Sequence, residues 1–362
     1  MKNSKERNDK ETIAFNRSKI YEKLIYDPIP DSYDLKIPWD VQQRIAETNG
    51  IHYQSVVDKL KDYPTYEMPV PKINGEKIML DIGMGWGRWL VAGAKKGYIP
   101  IGLELRLEFC KIGRRVMQDS NINGYTLVAD LENLPFQDSI FDLIWSFSVI
   151  QHTHKERMFN CLRHINRILN STGFTKLEFP NKNGIRNKIK YVARNEQLRE
   201  VYNNWAIRYY TPKEYKEIFD QFFDDFNFEN HSFLGIGVLK EDLKYVSLKN
   251  KFYCGMSLIM SAITKIIRPL KYLSDSIYIS ASKSKNGMDA NTESIRKFLR
   301  KHNSDPTNNL NIVPLLRCPL HGTALTLSKD EKKLYSKEAD IYYPIEGGIP
   351  ILIKSEAIKN KM

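Results

Sequence analysis

Between residues 77 and 180 the chain alternates short apolar runs with amphipathic stretches. Ile78-Met79-Leu80, Ile99 to Leu103, Tyr125 to Ala129, Phe141 to Ser146 and Phe174 to Phe179 have the length and content of buried strands. Between them, Trp89 to Lys96, Leu107 to Met117 and a stretch with apolar residues at Met158, Leu162, Ile165 and Leu169 carry the helical period. Gly97, Asn121 to Gly124 and Ser171-Thr172-Gly173 are the expected helix stops. Strand and helix in strict alternation predict a doubly wound, mostly parallel α/β sheet. Farther on, Thr211-Pro212-Lys213-Glu214 reads as a capping box with proline in the first turn. Phe226 to Leu239 and Ser276 to Ser282 supply two last strands.

The polar residues fall where such a sheet binds ligands, at the C-terminal ends of its strands. Asp81 ends the first strand and leads into Gly83, Gly85 and Gly87, a D-x-G-x-G-x-G turn that brings bare backbone N–H groups and a helix N-terminus toward a ligand. A dinucleotide fingerprint, G-x-G-x-x-G, would need its third glycine where Arg88 stands. Glu104 follows Gly83 by 21 positions, close to the spacing of a ribose-binding acid, although an acid after a strand can also be a solvated loop residue. Asp130 ends the third strand, and His152 follows the fourth, with His154 two residues on.

Lys77 to Trp89, KIMLDIGMGWGRW, resembles the first motif of class I S-adenosylmethionine-dependent methyltransferases, and the order of strands and acids after it extends the resemblance. The resemblance implies a seven-stranded Rossmann-like sheet closed by an antiparallel pair, with S-adenosylmethionine held by Asp81, Gly83, Gly85, Gly87, Glu104, Asp130 and Leu131. Asp130 would accept from the adenine amino group, with a helix cap as its other reading. His152 is the candidate base for removing an acceptor proton, against a capping or cofactor-contact role. Arg208, Tyr209 and Tyr210, just before the capped helix, are candidates for holding the acceptor. Ser146-Phe147-Ser148-Val149 stands where methyltransferases of exocyclic base amines carry N-P-P-Y, so the pattern lies closest to enzymes of small molecules.

Composition adds a partner class. The formal net charge is +12 and the isoelectric point about 9.2, which makes RNA, phosphorylated sugars or a membrane surface plausible partners beside the plain reading of a lysine-rich soluble protein. The four cysteines, Cys110, Cys161, Cys254 and Cys318, lack paired spacing, and no run of about 20 apolar residues occurs. A cytoplasmic protein is expected, with membrane association open. At 362 residues and 42% hydrophobic content the chain has room for a second core. The expected division is an N-terminal arm over 1–40, a methyltransferase domain over 41–283, a linker over 284–310 and a C-terminal module over 311–362. Within the arm's neighbour, Val56, Val57 and Leu60 suggest a short helix after a break at Asn49-Gly50.

Two inserts interrupt the catalytic domain. Asn181 to Asn204 is basic and irregular, with Lys182, Arg186, Lys188, Lys190, Arg194 and Arg199 against two acids. A helical insert over 240–275 places Ser257, Ser261, Lys265 and Arg268 opposite Ile259, Met260, Ile263, Ile266, Ile267 and Leu270. Its 13 uncharged residues from Phe252 to Thr264 are too few to span a bilayer, which leaves a packed lid on the acceptor pocket or a peripheral membrane contact through 252–273.

The C-terminal LLRCPLH (315–321) and YPIEGGIPIL (343–352) resemble the small zinc-ribbon family that activates tRNA, ribosomal RNA and release-factor methyltransferases. In that family Cys318 and His321 match the first ligand pair, but Ser336 and Ala339 stand at the second, and Ala339 has no donor. That departure predicts a ribbon without metal, and the resemblance implies that the module docks in cis on the catalytic domain. Three functions compete. The first is methylation of a hydroxyl or amine on a small or lipid-linked acceptor, a saccharide favoured. The others are an RNA methyltransferase with a fused activator-like module and a cofactor-binding scaffold without activity.

Overall fold

The computed structural model describes residues 37–49, 60–73, 77–190, 207–235, 239–283, 290–303 and 308–359. It divides into two compact units, 1–64 with 244–247, and 65–243 with 248–362. In the smaller unit, α1 (Trp39–Asn49) is tied by its Gln42 side chain, which donates to Ile37 O at 2.9 Å and accepts from Leu60 N at 3.3 Å. Most of the expected arm, with Val56 and Val57, lies outside the described residues.

Among the described residues the larger unit is built on one sheet of twelve strands. Its first part runs β1 (Lys77–Ile82), α2 (Arg88–Lys95), β2 (Tyr98–Glu104), α3 (Leu107–Asp119), β3 (Tyr125–Ala129), β4 (Phe141–Ser146), α4 (Lys155–Ile168) and β5 (Leu169–Pro180). Next come α5 (Ile185–Lys190), α6 (Pro212–Phe219), β6 (Asp225–Ser232), α7 (Leu248–Ile266) and β7 (Ser276–Ser282). The seven strands lie in the order β6-β7-β5-β4-β1-β2-β3, with β1 to β5 parallel and β7 antiparallel to β5 and β6. This is the Rossmann-like doubly wound arrangement, with the order reversing between β1 and β4, where ligands bind.

Three boundaries differ from expectation. The chain passes from α4 directly into β5, so Ser171-Thr172-Gly173 lies inside the strand; a register shift there lets Gly173 approach Phe141 O, which a Cβ would meet at 2.7 Å. β6 ends at Ser232, because Leu234 and Gly235 turn the backbone to positive φ. The basic insert begins as helix α5, its first turn capped by Asp275 Oδ1, which accepts from Arg186 N and Asn187 N at 2.8 and 2.9 Å. Arg194 and Arg199 lie outside the described residues.

The segment expected as a linker is anchored. It carries α8 (Ala290–His302), whose buried Arg296 forms a two-pronged ion pair with Asp142 of β4 at 2.7 and 2.9 Å. Asp142 also accepts from Ile78 N and Asn170 Nδ2, so the buried charges are hydrogen-bonded on several sides.

The C-terminal module continues the same sheet. Its strands are β8 (Thr326–Leu327), β9 (Lys333–Ser336), β10 (Ile341–Glu346), β11 (Ile349–Leu352) and β12 (Ile358–Lys359). β11 pairs in parallel with β3, Ile351 opposite Val128 and Leu352 opposite Ala129. Just beyond that pairing the buried Asn309 side chain takes a strand's place, accepting from Thr126 N and donating to Thr126 O, both at 2.8 Å, and donating to Gly348 O at 2.9 Å. Arg114 to Gly347 O, Lys111 to Glu346 and Arg317 to Asp138 fasten the rim.

Candidate active site

The glycine turn is held closed by its own backbone. Gly83 N and Met84 N donate to Leu103 O of β2, Gly87 N donates to Met84 O, and Gly85 N donates to the Glu104 carboxylate at 3.3 Å. Those amides, expected to face a ligand bare, are therefore spent inside the turn. What the glycines supply is conformation and room: all three have positive φ, and a Cβ on Gly83 would lie 2.3 Å from Val149. The segment after β4 thus lies directly against the turn.

Two acids flank it. Glu104 accepts from Leu105 N at 2.8 Å as well as from Gly85 N, which orients its carboxylate and leaves lone pairs for further donors. Burial pushes its pKa up. Asp81 is fully buried, and neither carboxylate oxygen has a hydrogen-bond partner. Burial pushes its pKa up to about 8, with Arg88 opposing the rise and Glu104 adding to it. A buried acid without a partner beside a glycine cradle fits a cationic ligand, and S-adenosylmethionine carries positive charge on its ammonium and sulfonium groups.

Asp130 sits at the end of β3 but is engaged. It caps the turn Leu131–Asn133 by accepting from Glu132 N at 3.0 Å and pairs with Arg157 of α4. An adenine amino group would share that carboxylate, while Leu131 lies partly buried against the core.

His152, His154 and Arg208 converge. Arg208 is buried, donating to His152 O at 2.6 Å and lying 3.0 Å from the His154 ring, while its own N–H donates to Gln151 O. The arginine therefore clamps the segment after β4 to the strand-like stretch before α6. Tyr210 packs edge-on against Tyr215, and its carbonyl accepts from Lys182 N. Tyr209 is partly buried beside them.

A second group was not singled out from the sequence. Strand register puts Asp81, Trp145, Lys176 and Ser280 in one row, on the sheet face opposite Ile144, Leu177 and Ile279 of the main core. On that same polar face Glu178, Tyr278 and Glu229 form the adjacent row. Glu178 is buried, accepts from Ser148 Oγ at 2.7 Å and from the Ser276 hydroxyl, and has its pKa raised by burial. Ser148 itself has φ 59° and neighbours Val149, the residue against Gly83. Lys176 pairs with Glu229 at 2.8 Å.

Rings complete the wall. Phe147 lies 5.3 Å from Trp89 and 5.1 Å from His231, His231 lies 4.7 Å from Tyr278, and the Arg88 guanidinium stands 4.8 Å from the Phe147 centroid. Burial first, then Arg88 and Lys176, lowers the His231 pKa to about 3, so that its ring is neutral. The available signal was charge inside apolar strands: Lys176 and Glu178 alternate within FTKLEFP.

In the C-terminal module Cys318 is buried with its Sγ 3.4 Å from the Tyr343 hydroxyl. The Ser336 hydroxyl lies 2.5 Å from that of Thr323 and accepts from Ala339 N, so hydrogen bonds occupy the positions of the second ligand pair. Among the described residues no three His, Cys, Asp or Glu side chains group as a metal site.

Residues 79–173 match the family model described as methyltransferase domain, a span from β1 into β5. Over that span the chain carries a methyltransferase domain. A UPF0434 protein of Pseudomonas paraeruginosa is 46% identical over 46 residues, 13% of this chain and 75% of that protein. Over that stretch the chain belongs to the UPF0434 family. Among solved structures, a complex of the Haloferax volcanii Trm112 methyltransferase activator with a protein assigned as a methyltransferase is 16% identical at TM-score 0.41, covering 61% of this chain and 87% of that one. A methyltransferase from Archaeoglobus fulgidus is 19% identical at TM-score 0.37, covering 59% and 88%.

Proposed function

We propose that the enzyme methylates a hydroxyl or amine of a small or lipid-linked acceptor, with a saccharide favoured. The observation that carries this reading is the polar, ring-lined face beside the glycine turn, with the buried Glu178 carboxylate at its centre. Aromatic rings interleaved with acids suit a sugar, whose C–H faces pack on rings while its hydroxyls take hydrogen bonds. Bound S-adenosylmethionine supplies an electrophilic methyl group. The chain's own residues position the acceptor in a water-poor site and take its proton. Ser148 and Ser276 orient Glu178 for that task, and the same hydrogen bonds stabilise its ionised form. His152 is the alternative base; its carbonyl is committed to Arg208, while its ring remains within the segment that touches the turn.

The cofactor is proposed to lie across Asp81, Gly83, Gly85, Gly87, Glu104, Asp130 and Leu131. Calorimetry tests this directly. S-adenosylmethionine should bind the wild type, and Glu104→Ala should weaken binding by roughly 10–100-fold, the value of charge-assisted hydrogen bonds. Unchanged affinity in that variant would remove Glu104 from the cofactor site.

An RNA acceptor is the second reading. It is favoured by the C-terminal module, a member-like segment of an activator-type ribbon that continues the sheet at β3, and by the positive net charge. Incubation with labelled methyl donor and separate glycan, lipid and RNA fractions discriminates the two. Label in RNA, with salt-sensitive binding, would replace the saccharide reading.

A further inference from the structure

Helix α7 inverts the usual amphipathic arrangement. A helix on a globular protein turns its apolar stripe to the core. Here the buried stripe is Cys254, Ser257 and Thr264. Ser257 Oγ accepts from Phe233 N at 2.9 Å, and Thr264 Oγ1 donates to Asn230 Oδ1 of β6 at 2.7 Å. The helix is thus docked to the end of the sheet by hydroxyl groups. Its apolar stripe points away.

That stripe is Phe252, Met256, Ile259, Ile263 and Ile266, spaced by four, three, four and three residues on one helical face. Phe252, Ile259 and Ile266 are 65%, 63% and 84% exposed. Leu248 extends the patch, Leu258 adds exposed apolar surface on the adjoining face of the helix, and the turn Arg268–Leu273 adds Tyr272 and Leu273. A contiguous apolar surface of this kind marks an interaction site. The residues of the insert that are buried against the fold are Cys254, Ser257 and Thr264, with Met260 and Leu270 partly buried and Tyr272 packing on Phe228 of β6.

The charge around the patch decides its partner. Lys249, Lys251, Lys265, Arg268 and Lys271 fall between Leu248 and Leu273, and that stretch contains no Asp or Glu. A second copy docking about a two-fold axis would bring two basic rims together with no acid in either stretch to pair them. A bilayer with acidic headgroups meets both demands at once, offering an apolar interior below and negative charge at the level of the rim. No described helix is long and apolar enough to cross a membrane, so insertion is limited to one face.

We propose that α7 and the turn after it form a docking face for an anionic phospholipid surface, with the helix lying in the headgroup plane. The proposal gives the lipid-linked acceptor a place from which to be presented. It rests on this surface alone, since vesicle binding needs neither cofactor nor acceptor; its failure would leave the methyl-transfer reading standing.

The test is cosedimentation of the full chain with vesicles of phosphatidylcholine, and of phosphatidylcholine mixed with phosphatidylglycerol. Binding is expected to the mixed vesicles and to weaken as salt is raised. The triple variant Phe252→Ser, Ile259→Ser, Ile266→Ser should bind at least about tenfold more weakly with an unchanged melting profile, because those side chains are mostly in solvent. Lys265→Glu with Arg268→Glu should cost at least about tenfold while sparing any weak binding to phosphatidylcholine, from a contribution of roughly fivefold per basic residue. Absence of binding to either vesicle, or undiminished binding by the triple variant, would overturn the proposal. So would a dimer in light scattering that the triple variant abolishes, without vesicle binding, which would assign the face to a second copy.

Discussion

The two halves of the sheet, on either side of the β1–β4 boundary, solve different problems. The β1-β2-β3 half carries acids only at strand ends, and its glycine turn is shaped almost wholly by backbone hydrogen bonds. Its open edge is covered by another strand, β11, so backbone pairs with backbone. The β4-β5-β7-β6 half carries charge within its strands, Lys176, Glu178 and Glu229 on one face, with rings packed among them. Its far end is met by a helix through side-chain hydroxyls. In the proposed reading the first half holds the cofactor through Asp81 and Glu104, beside a turn whose own amides are already paired. A site made of side chains suits a particular acceptor, because side chains change without disturbing the ladder that holds the strands.

The largest expected effect tests the proposed acceptor half. Glu178→Gln should lower kcat by roughly 10²–10⁴, the range for losing a positioned base, while calorimetric affinity for S-adenosylmethionine stays unchanged. Because burial raises the Glu178 pKa, activity in the wild type should rise with pH through a limb above the ordinary carboxylate value of about 4.3, and the variant should lose that limb. A variant with full kcat would reduce Glu178 to a structural acid and break the division of labour.

Next is the joint between the halves. Arg296→Ala removes the partner of the buried Asp142, which also holds Ile78 N of β1. Loss of about 3–5 kcal/mol is expected in denaturant unfolding. A small loss would mean that Asn170 and Ile78 suffice for the acid.

The smallest effect concerns the strand-covered edge. Asn309→Ala orphans the N–H and C=O of Thr126, and about 1–3 kcal/mol should be lost in urea unfolding. A larger loss, with separate melting of the C-terminal module, would show that one side chain rather than the β11–β3 pairing joins the two parts.

Much of this was legible along the chain. Tyr125–Ala129, Phe141–Ser146 and Ser276–Ser282 begin and end where their apolar runs do, and the Thr211 capping box forms with both reciprocal bonds. The conformation of the glycine turn was readable because its spacing is local to one strand-turn-helix unit. The engagement of most of the turn's amides was not, since the acceptors of Gly83 N, Met84 N and Gly85 N, Leu103 O and the Glu104 carboxylate, belong to the next strand. Glu178 looked like one charge in an apolar run until β4 and β7 brought Ser148 and Ser276 to it.

The sequence by itself determined the periodicities, the turn conformations and the set of acids at strand ends, because each depends on neighbours within a few residues. Only the tertiary structure decided which side of α7 faces the sheet, which acid sits unpartnered beside the glycines and how the C-terminal ribbon prolongs the sheet. Those outcomes depend on register and burial, which are set by residues far apart in the chain: Asn309 against Thr126, Arg296 against Asp142, Thr264 against Asn230.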